Sequence, residues 1–233
     1  MLRRLVYKIK SKRVNMQLEA LILKIVVSAV PILFAITVHE ASHGYAAKYF
    51  GDLTAEKMGR ISLNPFRHID LIGTIILPAI TLIVGGVLFG WAKPVPVNFN
   101  NLRNPKKDML WVAAAGPASN LVMAIAWGIL LGFVKRGLDA GEFPTAAYLF
   151  VDMAYVGISI NIVLMVLNLL PMPPLDGGRI AVSLLPNNLG MQLSRVEKYG
   201  FVILIALMFS GILGKILSPF IGFFEQIILR IFV

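Results

Sequence analysis

Two histidines and a glutamate stand together in His39-Glu40-Ala41-Ser42-His43, a spacing suited to metal-dependent hydrolysis. Residues four apart on an α-helix differ by roughly 40° in direction, so both imidazoles can face one ion while Glu40 stays close enough to handle a metal-bound water. Catalytic zinc takes three protein ligands and a water, so one ligand is missing from this run. The chain has three histidines and no cysteine, which leaves Asp, Glu or His68 to complete the set. Asp176 is the better choice. It stands in a Pro- and Gly-rich break beside an apolar stretch, where a charge is otherwise badly placed, and Gly177-Gly178 allow backbone to approach closely. His68 has two readings, a boundary histidine bonded to a neighbour or a residue that contacts substrate or transfers a proton.

The elements that must position these groups belong to a membrane protein. Of 233 residues 58% are hydrophobic and 15% charged, with a mean hydropathy of +0.79, and the apolar residues fall in stretches near twenty long rather than in short periodic runs. Such stretches cover 20–38, 71–90, 109–134 and 148–170, with two shorter ones at 201–217 and 220–233. Pro31 is expected to kink the first, and Gly51-Asp52 to stop it. Pro78 and Gly85-Gly86 break the second. The expected fold is an all-α polytopic membrane protein with about five transmembrane helices, a re-entrant or interfacial segment at 71–90, and short β-strands near the site at 60–63 and 95–99. The chain reads as one domain, 1–233, made of a basic tail at 1–15, a catalytic core at 20–180 and membrane helices at 199–233.

Charge and composition exclude some functions. A net charge of +10 would suggest nucleic acid in a soluble protein, but here Lys and Arg lie between apolar stretches, where they set orientation or touch anionic lipid. Nucleic-acid binding is therefore not expected. The absence of cysteine removes disulfides, thiolate ligands and a thiol nucleophile.

Three motifs in order carry a family resemblance: His39-Glu40-Ala41-Ser42-His43, Ala115-Gly116-Pro117-Ala118-Ser119-Asn120, and Asn168-Leu169-Leu170-Pro171-Met172-Pro173-Pro174-Leu175-Asp176-Gly177-Gly178. Over residues 32–180 the chain resembles the site-2 protease family of intramembrane metalloproteases, in a compact form without PDZ or CBS domains. The resemblance implies one Zn2+ ion held by His39, His43 and Asp176, with Glu40 as general base. It implies that Asn168 helps hold the substrate or oxyanion, and gives Asn120 either a catalytic or a helix-packing role. A catalytically silent zinc scaffold and a metal or ion transporter are the alternatives. A transporter would spread ionisable groups along several spans, whereas most carboxylates here lie in connections.

A zinc peptidase cuts extended chain, so a transmembrane-helix substrate must unwind and its freed backbone must find partners. The edge around Val95 and Val97 is expected to hold it by strand addition, with 60–63 as the second choice and a stiff proline connector as the other reading of 94–96. Ser42, Asn161 and Asn168 are expected to line a polar cavity, and Asn120 and His68 to contact substrate. The ligands must lie at one depth, so an even number of crossings must separate His39 from Asp176. That puts Lys57, Arg60, Arg67, Lys93, Arg103, Lys106, Lys107, Arg179, Arg195 and Lys198 on the metal side, with Lys135 and Arg136 opposite, and makes the metal side cytoplasmic in a multi-pass cell-membrane protein. The basic tail conflicts with this orientation, so either Met16 is the true start or the first segment is arranged differently. The substrate's identity and the oligomeric state are not encoded in these motifs.

Overall fold

The computed structural model describes residues 2–76, 90 and 92–233, with side chains described for 19, 22–74, 76, 90 and 92–233. Helix α1, Leu2–Tyr49, carries Pro31 inside it without ending. It stops where Gly51 takes φ 110, a conformation that needs glycine. The neighbouring Asp52 is fully buried and ties this end down. Its Oδ1 accepts the Thr54 N–H at 3.0 Å and Asn101 Nδ2 at 3.1 Å, and its Oδ2 accepts the Asn98 N–H at 2.7 Å. Burial alone would raise this carboxyl's pKa, but the hydrogen bonds from Thr54, Asn101 and Asn98 outweigh it and hold it below the usual range.

The connection that follows holds a short helix α2, Thr54–Lys57, a 3-10 turn at Pro65–Arg67 and a π-helical turn at Leu71–Ile76. Residues 92–98 then run without helix to a 3-10 turn at Phe99–Asn101. Two long helices come next: α3, Pro105–Asp139, and α4, Tyr148–Asn168. Beyond them lie α5, Asp176–Leu184, α6, Asn187–Arg195, α7, Glu197–Phe209, and α8, Ile212–Phe232.

Helices α1, α3 and α4 pack against one another, and α8 packs on α3 and α4. The main core is built from Ala124, Leu131 and Val134 of α3, Ala154, Ile158 and Ile162 of α4, Leu204 of α7, and Leu213, Leu217 and Ile228 of α8. Outward faces stay apolar too, with Ile25, Phe34, Val122, Phe133 and Phe150 exposed, as expected of helices whose surroundings are lipid. Without a hydrophobic drive between helices in lipid, close approach depends on small residues. Gly157 of α4 receives the Trp127 indole, while Gly128 and Gly132 of α3 receive Ile228 and Phe232 of α8.

Four segments are long and apolar enough to cross a membrane among the described residues: Ile22–Tyr49, Pro105–Asp139, Thr145–Asn168 and Ile212–Phe232. The sequence reading expects about five and divides the C-terminal region near Pro219. The break instead falls at Gly211, with φ 72, and Pro219 sits inside α8. A proline removes one helical hydrogen bond and is tolerated where neighbouring groups compensate, whereas a left-handed glycine turns the chain. Helix α7 is left with thirteen residues, about 20 Å at 1.5 Å per residue, too short to span. Most of the expected re-entrant segment, 77–89, lies outside the described residues.

The expected strands are corrected as well. No strand occurs among the described residues, at 60–63 or at 95–99. Pro94 and Pro96 have no N–H, and the Val95 and Asn98 N–H groups go to carboxylates rather than to a neighbouring strand.

The seating of α8 is testable. A side chain at Gly132 would overlap the Phe232 backbone, whereas Gly222 on the same helix as Phe232 has open space around it. Gly132→Leu should lose about 1–3 kcal/mol of stability by overpacking, seen as a lower melting temperature in detergent, while Gly222→Leu should melt near wild type.

Candidate active site

Helix α1 brings His39, Glu40 and His43 to its C-terminal third, and the break after α4 returns Asp176 to the same point. His39 Nε2 and His43 Nε2 lie 3.1 Å apart, and Asp176 Oδ2 lies 3.2 Å from the first and 3.3 Å from the second. Two long apolar helices, α3 and α4, separate these groups in sequence. The turn that delivers Asp176 is tight enough to require its glycines: a side chain at Gly177 would overlap Leu169 and Leu170 backbone, and one at Gly178 would overlap Pro173.

The protonation of both rings follows from their outer partners. His43 Nδ1 lies 2.8 Å from the Val112 carbonyl, which can only accept, so this nitrogen carries the proton. His39 Nδ1 lies 2.6 Å from Asn120 Oδ1. The orientation of that amide is set because Asn120 Nδ2 donates to the Ala35 carbonyl at 3.3 Å and to Asn161 Oδ1 at 2.9 Å, while Asn161 Nδ2 donates to the Gly157 carbonyl at 2.8 Å. His39 Nδ1 is therefore a donor too. As neutral rings, both then present Nε2 lone pairs to each other and to Asp176 Oδ2, a buried oxygen without a hydrogen-bond partner.

Three acceptors so close together in a buried site repel unless a cation lies among them. Two imidazoles and a carboxylate are a donor set that zinc accepts, and at zinc bond lengths of about 2.0–2.1 Å two tetrahedral ligands stand about 3.3 Å apart. The observed separations fit. Room for the rings comes from Gly116 of α3, where an added Cβ would overlap His43 Nε2 and come 2.6 Å from His39 Cε1.

These donors open into a cavity of about 160 Å³, whose walls include Glu40, Val95, Val97, Phe99, Val112, Asn168 and Arg179. Glu40 Oε2 accepts the Val95 N–H at 2.7 Å, which fastens the 92–98 segment to the site. Arg60 Nη2 holds the same segment from outside through the Lys93 and Pro94 carbonyls, at 2.9 and 3.3 Å.

A model of peptidase family M50 matches residues 139–211, a region that includes the Asp176 motif. The protein named "Putative zinc metalloprotease YwhC" of Bacillus subtilis (strain 168) is 36% identical over 205 residues, which cover 87% of this chain and 89% of that protein. The chain belongs to peptidase family M50. A second relative, "Putative zinc metalloprotease Rip2" of Mycolicibacterium smegmatis, is 31% identical over 185 residues, 78% of this chain and 66% of that protein. No solved structure matches the chain with significance.

In this M50 chain His39, Glu40, His43, Val95, Val97, Asn168 and Asp176 all line one cavity. Other expected site residues lie elsewhere. Asn120 is fully buried, is not among the residues lining the cavity, and meets the His39 imidazole through its Oδ1. Asn161 stands one step further behind it. Ser42 donates back to the Val38 carbonyl at 2.7 Å, as mid-helix serines often do. His68 is buried and is not among the residues lining the cavity, its Nε2 2.8 Å from the Ser62 carbonyl. The sequence reading misses Gly116, which it treats as architecture, and Arg179. A glycine one turn before Asn120, on the helix facing the two histidines, was the available signal for the first.

Asn120 should matter through His39. Asn120→Ala is expected to weaken zinc affinity about 10–100-fold, the usual effect of losing the partner that orients a metal-ligating histidine, as measured by competition with a chelator. Asn120→Asp, which keeps an acceptor, should retain more affinity than the alanine variant.

Proposed function

We propose that this M50 peptidase is an intramembrane zinc endopeptidase that hydrolyses a peptide bond in or near a transmembrane segment of another membrane protein. His39, His43 and Asp176 would hold one Zn2+ ion, Glu40 is the general base and Asn168 steadies the substrate carbonyl. The observation that carries this reading is the convergence of three lone pairs within 3.3 Å, beside a carboxylate that opens into the same cavity. The zinc in the names of the relatives YwhC and Rip2 agrees with that donor set.

Zinc bound there would lower the pKa of a bound water to about 7 and polarise the scissile carbonyl. Glu40 takes the proton of the attacking water and returns it to the leaving amine. Its Oε2 is steadied by Val95, and its Oε1 has no protein donor among the described residues. Asn168 Nδ2 donates one hydrogen to the Leu164 carbonyl at 3.0 Å and keeps the second for the oxygen that gains charge. Val97, flanked by Pro96 and by Asn98 bound to Asp52, has an N–H without a partner among the described residues, and it suits an extended substrate strand. The Val95 N–H does not serve this purpose while Glu40 holds it.

His39 and His43 lie inside the apolar segment Ile22–Tyr49, and Asp176 follows shortly after the end of the apolar segment Thr145–Asn168, which supports a site at membrane depth. With the basic residues between α1 and α3 and between α4 and α8 on the side of the site and Lys135 and Arg136 on the other, the positive-inside rule favours a cytoplasmic active site, against which the basic tail at 1–15 counts.

Glu40→Gln should keep zinc and lose about 10²–10⁴-fold in peptide cleavage, the usual contribution of a general base. Metal analysis beside a cleavage assay in detergent tests this, and full activity in the variant would remove Glu40 from the reaction. Orientation is read by a cysteine placed at the exposed positions Ala140 or Asn104: a membrane-impermeant thiol reagent applied to whole cells should label position 140 and not 104.

A further inference from the structure

Arg179 has no part in the chemistry assigned above, yet it lines the catalytic cavity and is the permanent cation among the described lining residues. It lies three residues after Asp176 on α5, so the two share a helix face. Its guanidinium sits 5.0 Å from the centre of the Phe99 ring, and Phe99 lines the same cavity directly after the segment that carries Val97. The ring fixes the position of the charged group without occupying its N–H donors in hydrogen bonds. No side-chain hydrogen bond from Arg179 occurs among the described residues. Its nearest carboxylate is Glu197, at 3.7 Å, beyond hydrogen-bond length. Both partners of that pair are accessible, at 35% and 49%, so it contributes little and exchanges readily.

A planar donor fork with free hydrogens, stacked on an aromatic ring at the wall of a peptide-cleaving cavity, is matched to a carboxylate. We propose that Arg179 is a specificity-determining residue that takes a carboxylate of the peptide substrate close to the scissile bond. The carboxylate is an Asp or Glu side chain or the substrate's chain end, and Glu197 holds the guanidinium until it arrives. The inference rests on the cavity being a peptidase site.

The test uses apolar peptides that are C-terminally amidated and carry Asp, Asn or Lys at each position flanking the cut, together with an Asn peptide that has a free C-terminal carboxylate. Binding is measured by fluorescence anisotropy on the Glu40→Gln protein, and cleavage on the protein with Glu40 intact. At one position Asp should be favoured over Asn by about tenfold in both Kd and kcat/KM, as a charge-assisted pair at a partly open site supplies. If the chain end is the preferred ligand, the free carboxylate should show that advantage instead. The preference should fall to near one in Arg179→Ala, survive in part in Arg179→Lys, and turn toward the Lys peptide in Arg179→Glu. Zinc content and melting temperature report whether each variant is folded. Glu197→Gln, which alters no cavity residue, should increase the preference for acid by freeing the guanidinium. A wild-type protein indifferent to the carboxylate, a preference kept in Arg179→Ala or Arg179→Glu, or an unchanged preference in Glu197→Gln would overturn the proposal. Cleavage of every peptide without preference would sink Arg179's role and leave the peptidase intact. A carboxylate preference in binding with no cleavage of any peptide would do the reverse.

Discussion

Two imidazole nitrogens and one carboxylate oxygen, all acceptors, meet within 3.3 Å in the interior of a membrane protein. With neutral imidazoles that arrangement is strongly unfavourable until a metal ion or a proton lies among them, because the low-dielectric surroundings magnify repulsion that water would screen. Much of the structure serves to hold the three atoms there. The Val112 carbonyl and Asn120 place the ring protons on the outer nitrogens, Gly116 leaves space for the rings, and Gly177 and Gly178 let the chain turn closely enough to return Asp176. Val112, Gly116 and Asn120 act on the site from α3, and Gly177 and Gly178 from the start of α5, so the centre also fixes how α1 and α3 are rotated against one another.

The bilayer adds a second constraint. A polar group in an apolar helix must find its partner across an interface, and here the chain His39, Asn120, Asn161 to the Gly157 carbonyl links all three central helices. The connection between α1 and α3 is held by carboxylates in the same way. Asp52 fastens the end of the 92–98 segment and Glu40 its middle, so the proposed base and the segment proposed to hold substrate are linked by a hydrogen bond. A displacement of that segment by substrate would therefore reach Glu40 directly.

What could be read from the sequence follows from which signals are local. The HExxH run needs only the helical period, Asp176 stands in a break where a charge is otherwise unaccountable, and the long helices announce themselves by apolar length. The rest depends on rotation and pairing that residue order does not carry. Asn120 and Asn161 read equally well as cavity residues or as interhelical bonds until the helices are packed. The alternation at Val95, Val97 and Phe99 resembles a strand, yet the Val95 N–H goes to Glu40 and the Asn98 N–H to Asp52, forty or more residues away. Pro219 looks like a stop and Ser210-Gly211 does not, although the left-handed turn falls at Gly211. Arg179 is hidden for a similar reason, since only the packing of Phe99 beneath it brings it to the cavity wall.

The central claim is that His39, His43 and Asp176 form one zinc centre, and X-ray absorption at the zinc edge on the purified protein tests it most directly. The account predicts a mixed shell of nitrogen and oxygen at about 2.0–2.1 Å with the outer-shell scattering of two imidazoles, falling to the pattern of one in His43→Ala. A shell of oxygen alone, or an unchanged two-imidazole pattern in that variant, would contradict it.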